Sequence, residues 1–236
     1  MSSSYNKLQT ISAKDLGKLA LPDFCPRCFW LERHLGKSPS IFPGIFSTLD
    51  MVSKKGTHSA FDNENRAPKW LPIENAVSVE KGTLFYKLPV EVGDWILIGK
   101  PDDILKMKDG SYHIIDYKTA KYTERQDALL PMYEVQLNVY AYLAQKYKLT
   151  PISGLSLIYC DPHSSLENYD EFKLAFNTHQ LKIEHNQDIV FNLLRKARKI
   201  LKQPFPPETR FGCKGICYWL EESIIKLKSL SDGRQG

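Results

Sequence analysis

Apolar positions recur along this chain with two different periods, and the points where the period changes mark out its elements. Ser12 through Leu19 reads as a short helix with Ser12 as its N-cap. Phe24 through Leu35 reads as a second helix, with Pro26 in its first turn. Residues 36–46 hold two prolines and two glycines and read as loop. A third helix is predicted from Ser47 to about Phe61, interrupted at Gly56, and no usable period runs through 62–76. From Val77 to Lys118 the pattern turns strand-like, with the runs TLFYKLPV, DWILIG and YHIIDYK separated by turn residues. Val135, Val139 and Leu143 then predict a helix over Pro131 to Tyr147. Ile152 to Cys160 reads as a buried strand and Phe172 to Phe176 as another. Ile183, Val190, Leu194, Ala197 and Leu201 mark one face of a long helix that stops before the prolines at 204–207. Helices, a β meander, a helix, more strands and a helix imply a mixed α/β core rather than a bundle or sandwich.

At 236 residues the chain suits a single domain. Its 42% hydrophobic and 25% charged content is ordinary for a globular protein, and no run of eighteen apolar residues suggests a membrane span. The opening MSSSYNKLQT lacks the apolar core of a secretory signal, so the expectation is a cytoplasmic protein. The net charge is only +5, but its distribution is uneven. Between Lys182 and Lys228 ten Lys/Arg face five Asp/Glu, so this segment holds the whole surplus. Such a stretch suits a phosphate backbone or, equally, a solvated helix face.

The most informative segment runs from Gly99 to Lys118, where two β runs meet at Asp109-Gly110. A two-residue loop would set Asp103 opposite Asp116. A three-residue loop, Lys108-Asp109-Gly110 with Gly110 left-handed, would set Asp102 there instead. Asp116 and Lys118 are two apart and share a strand face. Either register gathers two carboxylates and an ammonium, an arrangement that costs free energy unless a cation sits between the carboxylates. A hard divalent ion such as Mg²⁺ or Mn²⁺ is the natural occupant, with Lys118 free to polarise an attacking water or neutralise developing charge. The plain alternative is a turn followed by an exposed strand-end ion pair. The apolar Ile96-Leu97-Ile98 and Ile114-Ile115 beside the charges argue for a buried setting.

Five cysteines without a secretory signal argue against a disulfide framework. Four form close pairs, Cys25-x-x-Cys28 and Cys213-x-x-x-Cys217, whose thiolates suit Zn²⁺ or an iron–sulfur cluster. The metal would staple residues 1–46 to residues 204–236, read as cysteine-bearing helical segments that pack together. The alternative is four reduced, partly buried thiols. Cys160 ends a predicted core strand.

Three motifs in order, Gly99-Lys-Pro-Asp102, Asp116-Tyr-Lys118 and Gln136-Leu-Asn-Val-Tyr140, make the chain resemble the RecB-like branch of the PD-(D/E)XK nucleases, from about Cys25 to Cys217. The resemblance implies a restriction-endonuclease-like core, a central mixed β-sheet flanked by helices. It favours Asp102 over Asp103 as metal ligand, adds the Tyr117 carbonyl, and has Gln136 and Tyr140 touch DNA or order the site. Relatives carry a further ligand on the helix before the meander. Asp50 and His58 are the candidates, on one face with Lys54, and Asp50 is preferred. Members of the AddB and CRISPR-adaptation type hold a [4Fe–4S] cluster with cysteines divided one plus three. The two-plus-two division departs from that and leaves zinc open. The implied function is a Mg²⁺- or Mn²⁺-dependent deoxyribonuclease acting on DNA with a free or single-stranded end, in recombination, repair or CRISPR adaptation, with protein partners in such a complex. The rival reading is a non-catalytic DNA-binding or scaffold subunit that keeps the fold.

Overall fold

The computed structural model describes residues 9–36, 43–80, 88–89, 95–168 and 170–232. Along the chain these form β1 (Gln9–Ser12), α1 (Ala13–Gly17), α2 (Pro26–Leu35), α3 (Gly44–Glu64), β2 (Ala76–Val79), β3 (Leu88–Pro89), β4 (Trp95–Ile98), β5 (Asp103–Met107) and β6 (Tyr112–Thr119). There follow α4 (Leu130–Lys146), β7 (Ile152–Pro162), β8 (Phe176–Ile183), α5 (Asp188–Leu201) and α6 (Ile216–Asp232). The central sheet has the order β2-β5-β6-β7-β8, and a small sheet, β1-β4-β3, stands beside it. Pairing is antiparallel except for β6 with β7 and β1 with β4. The parallel β6–β7 pair requires a crossover, and α4 supplies it. The expected α/β architecture, a mixed central sheet flanked by helices, is the one observed.

Central strands buried on both faces are apolar throughout, and strand parity divides them between two cores. Ile104, Ile114, Leu155, Leu157 and Tyr159 face the larger core beneath α1, α4 and α5. Leu105, Ile115, Tyr117 and Ile158 face a smaller one with Phe61 of α3 and Leu71 and Ile73 of the following loop. α4 is the pillar of the larger core. Val135, Leu137, Val139 and Leu143 are fully enclosed, each contributing about 1.5–3 kcal/mol by burial.

Several sequence expectations shift. The helix broken at Gly56 is continuous, because one glycine costs only about 1 kcal/mol and the buried Thr57 and Phe61 hold the helix on either side of the next turn. The strand expected at 172–176 begins where that prediction ends and runs to Ile183. Ile183 therefore belongs to a strand rather than to the helix face. Leu181 and Ile183 alternate with polar neighbours, and α5 starts only after Asn186, whose side chain accepts from the Asp188 N–H at 3.1 Å. β1 went unread, being four residues long. The run TLFYKLPV lies largely outside the described residues. Among the described residues no helix is long and apolar enough to cross a membrane.

Candidate active site

The β5–β6 turn decides the site. Gly110 adopts φ +85°, where a β-carbon would be strained, and its N–H returns to the Met107 carbonyl at 2.9 Å. The Met107 N–H donates to the Ser111 carbonyl at 2.8 Å, closing a three-residue loop. Asp103 consequently pairs with Ile115, and one step further Asp102 meets Asp116. Parity then sends the two adjacent aspartates to opposite faces. Asp102 goes with Ile104 and Asp116 toward α4, and Asp103 goes with Leu105 and Tyr117 toward α3.

On the α4 side the groups interlock. Asp102 Oδ2 accepts the Tyr117 N–H at 2.8 Å, and its Oδ1 meets the Lys54 ammonium at 2.7 Å. The same ammonium is 2.7 Å from Asp50 Oδ2, so Lys54 bridges two carboxylates. Asp116, nearly fully buried, is ion-paired to Lys118 through Oδ2 and accepts a long hydrogen bond from Gln136 Nε2 at 3.4 Å. Gln136 Nε2 also donates to the Tyr140 hydroxyl at 2.6 Å. The Tyr140 ring packs against Gly99, where an added β-carbon would fall 2.8 Å from it. That close approach is the physical reason for glycine at the head of the Gly99–Asp102 motif.

Burial and the neighbouring Asp116 charge push the Asp102 carboxyl up to about 7 against the opposing pull of Lys54. Burial opposes the charged form of Lys54, but Asp102 and Asp50 overcome it and raise its pKa. These oxygens suit a hard divalent ion. A cation would relieve the repulsion that raises Asp102, and the chain already sets an ammonium between Asp50 and Asp102. Asp116 Oδ2 supports the same fit, for it is buried and no well-aligned hydrogen bond reaches it.

His58 does not join this group. Its Nε2 bonds Asp103 Oδ1 at 2.6 Å, while the Tyr117 hydroxyl donates to Asp103 Oδ2 at 2.8 Å and meets the Thr57 hydroxyl at 2.7 Å. Burial raises Asp103, and the bonds from His58 and Tyr117 restrain that rise. The network clamps α3 to β5 and β6 directly behind the Asp102 side of the hairpin. Sequence reading placed Lys54 beside Asp50 on a helix face but assigned it no role, and it missed the Asp103 clamp. The adjacent Asp102-Asp103 pair was the available signal for two carboxylates with two destinations.

At the other end of the site the four paired cysteines converge, their sulfurs all within 4.8 Å of one another. The shortest separations are Cys28–Cys217 at 3.3 Å and Cys28–Cys213 and Cys213–Cys217 at 3.5 Å. N–H groups of Arg210, Gly215 and Cys217 point at Cys25, Cys213 and Cys28 at 3.4–3.5 Å and favour thiolate, but burial outweighs them at Cys28 and Cys213 and pushes those thiols up. Burial would raise the Cys25 thiol, but hydrogen bonds led by the Arg210 N–H bring it down to about 6. One tetrahedral zinc with bonds near 2.3 Å separates its sulfurs by about 3.8 Å. A four-iron cubane interposes its own irons and sulfides and holds cysteine sulfurs further apart. The donor set fits one ion closely. An Arg27–Glu221 ion pair at 2.6 Å ties α2 to α6 beside it.

A family model described as the PD-(D/E)XK nuclease superfamily matches residues 57–221, well over half of the chain. No curated protein matches. Among solved structures, the crystal structure of SSO0001 is 16% identical with a TM-score of 0.45, covering 87% of this chain and 81% of that one. An alkaline exonuclease (LHK-Exo) from Laribacter hongkongensis is 9% identical with a TM-score of 0.41, covering 96% and 95%. The family match, rather than these distant likenesses, places the protein. With the hairpin carboxylates, their lysine and the α4 glutamine inside the matched region, the chain belongs to the PD-(D/E)XK nuclease superfamily.

Proposed function

We propose that the protein is a Mg²⁺- or Mn²⁺-dependent deoxyribonuclease that trims DNA with a free or single-stranded end. The observation that carries this reading is the meeting of Asp102 and Asp116 across the hairpin, with Lys118 on Asp116 and Lys54 on Asp102. Asp102, Asp116, the Tyr117 carbonyl and Asp50 would hold the ion, which when bound supplies Lewis acidity and lowers the pKa of a coordinated water. Lys118 orients that water or offsets charge on the phosphoryl oxygens in the transition state. Lys54 balances the Asp50–Asp102 side, and Gln136 and Tyr140 fix the Asp116 carboxylate from α4. His58 is not in the proposed ligand set, since Asp103 engages its Nε2.

The cysteine set we read as a structural metal staple between the segments 1–46 and 204–236. The sulfur separations favour zinc over the [4Fe–4S] cluster that the resemblance suggests. A cellular role in recombination, repair or CRISPR adaptation is consistent with this chemistry. The test is incubation of end-labelled single- and double-stranded DNA with Mg²⁺, Mn²⁺ or no added metal. Metal-dependent cleavage lost in Asp116→Asn is expected. Binding without cleavage under every condition would favour a non-catalytic DNA-binding subunit. Elemental analysis reads the staple: one zinc per chain and no absorbance near 400 nm supports zinc, whereas four irons with sulfide supports the cluster.

A further inference from the structure

The second half of α6 has no cover. Every residue from Ile224 to Ser229 is exposed, and Ile224, Ile225 and Leu227 among them are large and apolar. A helix this short is marginal in water by itself and is ordinarily held by the packing of an apolar face. Ile216, Trp219, Leu220, Ile224 and Leu227 recur at three- and four-residue spacing and form such a face. Trp219, Ile224 and Leu227 on it are 64, 51 and 66% exposed. Only the first turns of α6 are fixed to the domain, through Cys217 and the Arg27–Glu221 ion pair.

The charges beside this face select what covers it. α6 carries Glu221, Glu222 and Asp232 against Lys226 and Lys228, so it offers no positive excess to a phosphate backbone or an anionic lipid surface. Glu222 and Lys226, one turn apart, flank the apolar face on one side, and Glu221 and Lys228 flank it on the other. On both flanks the acid precedes the base. Two copies of the helix laid face to face in opposite directions therefore set Glu222 of each against Lys226 of the other, with Glu221 near Lys228. The two-fold axis falls at Ile224. Laid in the same direction, the copies would set Glu222 against Glu221 and Lys226 against Lys228, like against like. We propose that α6 pairs antiparallel with α6 of a second copy of this chain, burying Trp219, Ile224 and Leu227 across residues 219–229. A seam of roughly three turns is at the small end of specific interfaces, so the dimer should be reversible and of micromolar strength.

The test is sedimentation velocity of the 236-residue chain at concentrations from about 1 to 200 µM. The average mass should rise from the 27.1 kDa of one chain toward twice that value. Leu227→Glu should weaken the dimer about tenfold or more. The side chain is exposed, so folding is not at issue, and circular dichroism checks the helix content. Lys226→Glu alone and Glu222→Lys alone should each weaken it about tenfold, by setting like charges together at two symmetric places. The two changes combined should restore wild-type association, because acid and base have then exchanged places. Tighter association in Lys226→Glu would indicate parallel pairing and overturn the proposal. A monomer at every concentration, or a dimer indifferent to Leu227→Glu, would overturn it too. So would a monomeric wild type whose binding to phosphatidylglycerol vesicles or to a DNA duplex is lost in Leu227→Glu, since the face would then belong to that ligand. The seam is independent of the carboxylate site, so Asp116→Asn should associate like wild type whatever becomes of cleavage.

Discussion

The carboxylate site and the cysteine staple are both clusters of ionisable side chains, yet the chain assembles them by opposite means. Asp102, Asp116, Lys118 and Gln136 lie within 35 residues and are fixed by a hairpin and the crossover helix that follows it. The sheet would hold them in place without an ion, with Lys54 standing in between Asp50 and Asp102. Cys25 and Cys217 are 192 residues apart, on segments also tied by the Arg27–Glu221 ion pair. α6 leaves Trp219, Ile225 and Leu227 exposed, so packing supplies little of what holds it. The carboxylate cluster is preorganised by the fold, whereas the proposed staple would make closure of the two segments depend on a metal.

That contrast is sharpest at the staple. Cys28→Ser should cost about 5 kcal/mol, a fall in Tm of about 10–20 °C, because a site binding only the native state contributes its affinity to folding. The metal-site affinity for Mn²⁺ should be unchanged at temperatures where the variant remains folded. Calorimetric scans with parallel titrations check both, and a Tm within 2 °C or so of wild type would show that the ends close without metal.

Asp116→Asn should do the reverse. Cleavage should fall on the order of a thousandfold, about 4 kcal/mol of transition-state stabilisation, with a much smaller effect on Tm. Single-turnover rates against a labelled strand give the number. Retained activity would remove the hairpin pair from the mechanism.

The sheet beneath the carboxylates should betray itself in acid. Burial first, and the Lys182 charge second, hold the His113 imidazole down to about 4, its ring bonded to Ser156 at 2.8 Å. The unfolded chain protonates it near pH 6.5, so between 6.5 and 4 the unfolded state binds more protons. Stability is therefore full above pH 6.5 and falls as pH drops toward 4, by at most about 3 kcal/mol. Urea titrations at pH 7.5, 6 and 5 should show the loss, and His113→Gln should flatten it.

Smaller effects probe the framing of the hairpin. Gly99→Ala sets a methyl 2.8 Å from Tyr140 and should lower cleavage tenfold or so by displacing the Gln136–Asp116 contact. Mn²⁺ affinity should change little. Gly110→Ala should cost about 1–2 kcal/mol by strain at φ +85° and leave the rate nearly untouched, since nothing lies within 4 Å of the new methyl. A large rate loss there would mean that the register itself had slipped.

The sequence alone determined the local parts: the hairpin signal at Asp109-Gly110, the shared face of Asp116 and Lys118, the helical spacing of Gln136 and Tyr140, and the pairing of the cysteines. These are properties of strand and helix periods, which any stretch of chain reveals without its partners. Where residues from different elements meet was decided by tertiary structure. The loop admitted two registers, and only the closed turn with left-handed Gly110 placed Asp102, not Asp103, across from Asp116. Asp50 and His58 share a helix face, and only the docking of α3 sent Lys54 to Asp102 and His58 to Asp103. The strand at 176–183 and the helix after it could not be separated by apolar spacing, because Leu181 and Ile183 fit either period until β7 offers its edge. Charge, burial and contact at a point in space depend on all the elements that arrive there, and no single stretch of sequence carries that information.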